Sequence, residues 1–449
     1  MLLLPQELIS EIIFLLQDDK ATLNSLSLVN RTIAHECQSH LFSHIVVRGP
    51  NKPMHPFGGS ATALSNLLQS SPHLAKHVRC LELFDTKRYW KITSPRVDNS
   101  IVKRWLPEDK HIARCIPNFT NLEAFIIQFL MNIYEPQPKE VLQGLLDCCK
   151  SVRRLPHISF VCISFVPDLS FIEELLNLKH LWICEVFYEP TQTSHTSPNS
   201  NPNPIHLQSL CLEQKSSNGI PYHYFLDPSC RFSITTLRKL AINLAYASSP
   251  GDKWHYTQIS NLLDLCADTL EELELAPSLL TFVPLNGEEK DTLNLGKLTR
   301  LRWLKIHLRE NDSAYRNFPW LPTLLDSFGP INPNFQELVI SLSVRLTANV
   351  INIDKALWKA VFDCLLDDRF EGLKALTINL NVQFQETPAE GREIIIDALQ
   401  ALYGVGRLRD RENMDLAINI LKGATEWRPD NFPPNHPDWQ PTPAIVDLG

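Results

Sequence analysis

Glycine is scarce in this sequence: 15 of 449 residues, about 3%, against a usual ~7%. A chain so poor in glycine has few places for phosphate-cradling loops or for repeated two-residue hairpins. The corresponding motifs are missing as well. No G-x-x-x-x-G-K-S/T, G-x-G-x-x-G or G-x-S-x-G occurs, and neither C-x-x-C nor H-E-x-x-H. Positive charge is not in excess, since 42 Lys+Arg against 50 Asp+Glu give a net −8. Such a chain lacks the overall field of a nucleic-acid binder. No apolar run reaches the ~18 residues that a membrane span needs. The start, MLLLPQELIS, has no basic stretch and turns acidic by Glu7, so no signal peptide is expected.

The 11 cysteines form no compact framework; Cys80, Cys184, Cys211 and Cys266 sit in separate apolar segments. They read as reduced thiols buried as small hydrophobes, and the compartment as cytosol or nucleus. His73 and His77 are four apart, as are His40 and His44, but neither pair has the cysteines or carboxylates that would complete a zinc site. Both pairs read as surface or capping residues. Cys148 and Cys149 have no suitably spaced histidine to support a catalytic thiol. The expectation is therefore a protein without catalytic residues, metal or cofactor.

What the chain does have is an ordinary globular balance, 44% apolar and 20% charged. Residues 4–42 read LPQELISEIIFLLQDDKATLNSLSLVNRTIAHECQSHLF. Pro5 suits a helix start and Glu7 the positive end of its dipole. Leu8, Ile12, Leu15 and Leu16 then recur at helical spacing. Asp18-Asp19 breaks the pattern, and a second helix is expected with Leu23, Leu26, Val29 and Ile33 on one stripe. A third segment runs from about His35 to Phe42 into the β-prone run His44-Ile45-Val46-Val47. Helices this short cannot bury their apolar surface alone, so they need a neighbour or a partner.

This stretch resembles an F-box, in the degenerate form common in large fungal families. The residues that carry the resemblance are Leu4-Pro5, Glu7, Leu8, Ile12-Ile13, the block Ala21 to Arg31, and His40-Leu41-Phe42 before a strand. It covers about a tenth of the chain. Ile33 stands where the family often has tryptophan, and Asn30 where it often has cysteine. The resemblance implies docking to a Skp-type adaptor, and through it a cullin, by Leu4, Pro5, Leu8, Ile12, Leu23, Leu26 and Val29.

Beyond residue 75 a short pattern returns, apolar-x-x-apolar-x-apolar. It begins at Val78, Leu122, Leu178, Leu207, Leu237, Leu270, Leu301, Phe335 and Leu373, with a weaker copy expected at Val152. From Leu178 on, subtraction gives steps of 29, 30, 33, 31, 34 and 38, a recurrence that marks a solenoid. Helical periodicity appears between the copies at 140–149, 171–176, 254–265 and 355–366. A polar, aromatic insertion lies at 87–109. Residues 189–204, EPTQTSHTSPNSNPNP, read as a surface loop, and the prolines from 429 to 443 as a loosely ordered tail.

Alternating short strands and helices resemble leucine-rich repeats of the degenerate kind that often follow an F-box. The expected fold is α/β: a helical F-box-like module over 1–45, then a leucine-rich-repeat solenoid over 46–423, built as a curved parallel sheet with outer helices, then the tail over 424–449. In such strands alternate side chains face away from the core. That places His180, Trp182, Lys239, Glu272, Glu274, Trp303, Lys305 and His307 on a target-binding face, with Ala241, Asn243, Glu337 and Val339 beside them. Trp182 and Trp303 have the character of interface anchors, and Glu272 and Glu274 read as solvated charges. The functional expectation is a substrate-recognition subunit of a Skp-cullin-F-box ubiquitin ligase. The second reading is a non-catalytic repeat scaffold outside any ligase.

Overall fold

A computed structural model describes residues 4–48, 58–59, 61–84, 111–128, 147–148, 151–152, 155–164, 172–184, 203–214, 222–227, 230–244, 254–276, 293–309, 320–329, 332–346, 355–384 and 414–422. The chain forms two compact units, Met1–Glu189 and Pro190–Gly449. The insertion at 87–109 and the proline-rich tail lie outside the described residues, as do nearly all of the 140–149 segment and of the 189–204 loop.

The first unit opens with three helices, α1 (Gln6–Leu15), α2 (Lys20–Leu26) and α3 (Arg31–Leu41). Two side-chain caps set their limits. Asp19 accepts from the backbone N–H of Thr22 at 3.0 Å, and Asn30 from that of Ile33 at 2.9 Å. Each satisfies a donor that the first turn of a helix leaves unpaired. Asn30 therefore starts a new helix, and the expected single stripe through Leu23, Leu26, Val29 and Ile33 is split by a turn. A small core of Ile13, Leu23 and Cys37 joins the three helices, with Ile9, Leu16, Leu26, Ile33 and Leu41 around it.

Parallel strands follow: β1 (His44–Arg48), β2 (Gly58–Gly59), β3 (Cys80–Phe84), β4 (Ala124–Gln128), β5 (Phe160–Ser164) and β6 (His180–Cys184). They pair in the order β2-β1-β3-β4-β5-β6. The second unit carries the strand pair β7 (Ile205–His206) and β9 (Phe232–Ser233). Its parallel ladder consists of β8 (Ser209–Gln214), β10 (Lys239–Leu244), β11 (Glu272–Ala276), β12 (Trp303–Arg309), β13 (Glu337–Leu346), β14 (Ala375–Phe384) and β15 (Asp415–Lys422), paired in that order. Helices Trp254–Cys266, Trp320–Asp326 and Lys355–Leu365 lie between successive strands. This is the leucine-rich-repeat arrangement of one strand and one return segment per repeat.

The apolar triplet is the core. In every expected copy from Val78 to Leu373 except the one at Val152 its three residues are buried, for example Leu237, Leu240 and Ile242. One copy is displaced. No strand follows Val152; the triplet is Ile158, Val161 and Ile163, which places β5 at 160–164. Two strands escape the template or were not counted with it. β1 fits it through Phe42, Ile45 and Val47, whereas β15 has polar Asn413 in the first position.

A repeated backbone junction holds the register. One carbonyl accepts from two successive N–H groups of the next repeat. Ser43 O receives Arg79 and Cys80, Arg79 O receives Glu123 and Ala124, and Arg302 O receives Gln336 and Glu337, all between 2.8 and 3.0 Å. Just before the triplet, a short polar side chain reaches back to the preceding repeat. Asn121 donates to Lys76 O, Asn177 to Pro156 O, Thr236 to Leu207 O, Thr269 to Leu237 O and Asn334 to Thr299 O. These bonds tie each turn to the backbone of the repeat behind it. The scarce glycines matter at one such place: a Cβ on Gly296 would lie 2.7 Å from the backbone nitrogen of Gly329.

Candidate interaction surfaces

The first surface belongs to the helical head. Helix α1 is apolar on two adjacent stripes. Ile9, Ile13 and Leu16 point into the head core, whereas Leu8, Ile12 and Leu15 are exposed one residue earlier in each turn. Leu4 and Pro5 continue the outer stripe before the helix starts, and Leu28 and Val29 are exposed in the turn before α3. Leu15 is 76% exposed and Leu28 87%. Large apolar side chains exposed along one helix stripe are unusual on a protein surface.

Of the seven residues expected to meet an adaptor, Leu4, Pro5, Leu8, Ile12 and Val29 stand on this surface. Leu26 is half-buried against the head core. Leu23 requires a correction. It is 0% exposed at the centre of that core, so it holds the helices together and offers no contact. Leu15 and Leu28 were missed as contacts, though Leu15 shares the helical spacing of Leu8 and Ile12 in the sequence.

The outward strand positions of the first unit differ from expectation. Trp182 is 5% exposed, abreast of buried Cys162 in the register of β5 and β6. Cys80, Ile126, Phe160 and Cys184 on the same face are buried too. Much of this outward face is apolar and buried, as in a sheet covered on both sides, with buried Glu82 and half-buried His44, 3.2 Å apart, as a polar pair within it. Trp182 is therefore a packing residue and not an exposed anchor. His180 is half-buried, and burial, helped by Lys179, lowers its pKa to about 4, which keeps it neutral near pH 7.

The second unit presents polar outward rows instead. Strand register sets Lys239, Glu272, Trp303 and Glu337 abreast at the start of four consecutive strands. All four are half-buried. The ammonium of Lys239 is 3.1 Å from Glu272 Oε2 and 5.8 Å from the centre of the Trp303 ring.

Two residues further along the strands, Glu274 is 0% exposed and Lys305 5%. Glu274 Oε1 lies 2.7 Å from His307 Nε2 and 3.7 Å from Lys305 Nζ. Glu274 is thus a buried, paired charge and not a solvated one, because a carboxylate removed from water needs cations and donors around it. With Lys305 it forms an internal ion pair, and His307 closes the group at its half-buried edge.

Another two residues on, a polar ladder went unnoticed in the sequence. Asn419 Nδ2 donates to Asn379 Oδ1 at 2.9 Å, Asn379 Nδ2 to Ser341 Oγ at 3.3 Å, and Asn243 Nδ2 to Glu213 Oε1 at 3.3 Å. The available signal was polar residues alternating with Ile and Leu past the triplet, as in Ile378-Asn379-Leu380-Asn381.

Among the described residues, no group of three or more His, Cys, Asp or Glu is placed to hold a metal ion, and no helix is long and apolar enough to cross a membrane. The described cysteines are free thiols, buried except for the partly exposed Cys230 and Cys364. His77 stacks edge-on against His35 at 4.9 Å.

No protein-family model matches the chain, and no curated protein does. Solved structures similar to it include a protein from Bacteroides fragilis, 11% identical, covering 70% of this chain and 68% of the other with a TM-score of 0.33. An internalin from Listeria monocytogenes is 16% identical, with coverage of 80% and 93% and a TM-score of 0.28. A leucine-rich-repeat protein from Leptospira interrogans is 14% identical, with coverage of 78% and 80% and a TM-score of 0.21.

Proposed function

We propose that this chain is the substrate-recognition subunit of a Skp-cullin-F-box ubiquitin ligase. The helical head docks the Skp-type adaptor and through it the cullin, and the repeats hold a target protein. No residue of the chain need make or break a bond. Its contribution is proximity, raising the effective concentration of the target's lysines near the ubiquitin-loaded enzyme.

The observation that supports the reading best is the uncovered apolar stripe Leu4, Leu8, Ile12 and Leu15, together with the exposed Leu28 and Val29 of the same helical head. The head has already filled its own core with the neighbouring stripe. A further stripe of large apolar side chains serves association with another protein better than it serves the fold. Of these residues, Leu4, Leu8, Ile12 and Val29 are among the positions that the F-box resemblance assigns to the adaptor.

The test is direct binding of the purified chain to a purified Skp-type adaptor by titration calorimetry. Ile12→Asp places a charge in the centre of the stripe without touching the head core. It is expected to weaken binding by at least about tenfold, since desolvating an unpaired carboxylate costs ~1.4 kcal/mol or more. A wild-type chain that does not bind the adaptor removes the ligase reading and leaves a repeat scaffold with an N-terminal cap.

A further inference from the structure

We propose that the outward edge of the second unit receives a basic side chain, an arginine before a lysine, from its protein partner, seated between the Trp303 indole and the Glu337 carboxylate. This rests on the reading that the repeats hold a protein target, and it adds the chemistry of the contact.

Parallel register fixes the row Lys239, Glu272, Trp303, Glu337, with neighbouring strands about 4.8 Å apart. The chain fills one half of this row itself. Lys239 reaches across Glu272, pairs with its carboxylate at 3.1 Å, and places its ammonium 5.8 Å from the Trp303 ring centre. A cation is thus held by a carboxylate and an indole face together, the arrangement in which the ring quadrupole and the ion pair act on the same charge.

The other half offers the same two groups without the cation. Glu337 is in register on the far side of Trp303. It makes no ion pair with a described residue, although Arg302 and Lys374 lie nearby in the ladder. The row continues with Ala375 and exposed Asp415, which bring no positive charge. The Glu274–Lys305 pair two residues along is buried and already matched, so it does not compete for a partner's charge.

Arginine fits this gap better than lysine. Its planar guanidinium stacks on an indole while presenting two parallel N–H donors to a carboxylate. The net charge of −8 draws such a partner in.

The experiment uses the full chain and a fluorescein-labelled Arg-Ser-Arg-Ser-Arg-Ser peptide, followed by anisotropy, with a Glu-Ser peptide as control. The wild type is expected to bind the arginine peptide and not the glutamate one. E337Q and W303A are each expected to weaken binding about tenfold, and E371Q, an exposed charge elsewhere in the unit, by less than about twofold. Trp303→Leu keeps apolar bulk and removes the aromatic face, so it answers the question if alanine disturbs packing. Equal losses from E337Q and E371Q, unchanged binding by a folded Trp303→Leu chain, or no binding by the wild type would each overturn the proposal. Adaptor titration on the same proteins separates the two readings. I12D is expected to lose the adaptor and keep the peptide, and E337Q the reverse.

Discussion

At the scale of single residues, the buried charges of the second unit are the sharpest departure from a surface reading. Glu274 and Lys305 sit where strand alternation sends side chains outward, yet both are removed from water. Their attraction is bought back only as long as both are present. Lys305→Met takes an ammonium partner away from the buried Glu274 carboxylate and is expected to cost about 3–5 kcal/mol, read from denaturant unfolding. The double variant Glu274→Gln with Lys305→Met is expected to cost clearly less than the single one. A double variant as unstable as the single would show that packing, and not the unmatched charge, sets the loss. Leu23 and Trp182 carry the same lesson in apolar form. Both fit the sequence pattern for contacts, and both are used inside.

At the scale of the element, a repeat is defined by more than its apolar triplet. The short polar residue just before it ties each turn to the one behind. Thr269 illustrates this, with its hydroxyl within 2.9–3.0 Å of the carbonyls of Leu237 and Thr235. Thr269→Val keeps the shape and removes the donor, so an expected loss of about 1 kcal/mol measures the tie itself. Thr120→Val, at an exposed turn position, is the control and is expected to change stability by only a few tenths of a kcal/mol. Equal effects would mean that the tie contributes nothing. The triplet was readable because three buried positions in six residues make a strong signal. The copy assigned to Val152 went astray because Leu155 and Ile158 crowd the same stretch with apolar residues. β15 was missed because its leading position is Asn413.

At the scale of the whole molecule, two compact units imply unfolding that need not be a single step. His180 gives the first unit a pH signature. Burial holds its folded pKa near 4, against the 6.5 of an ordinary histidine, so the unfolded chain takes up the proton first as pH falls. Stability from this source is intact above pH 6.5, declines between 6.5 and about 4, and levels off below that. The slope is at most ~1.4 kcal/mol per pH unit, and less for a partly exposed ring. His180→Gln is expected to flatten that part of the melting-temperature profile of the first unit. An unchanged slope would place the pH response in other groups.

The sequence by itself determined the repeat, because burial of three apolar residues per strand is a local, periodic requirement that each copy states again. It also determined that two or three short helices precede the repeats, since apolar residues at helical spacing are a local signal, whereas the cap at Asn30 that separates the last two was not read from it. Only the tertiary structure decided which outward positions meet water. Alternation gives a side chain's direction, but its exposure depends on what register sets beside it: Cys162 beside Trp182, Glu274 beside Lys305, Trp303 between two carboxylates. Those neighbours come from strands about 20 to 40 residues away, and no local pattern carries their identity.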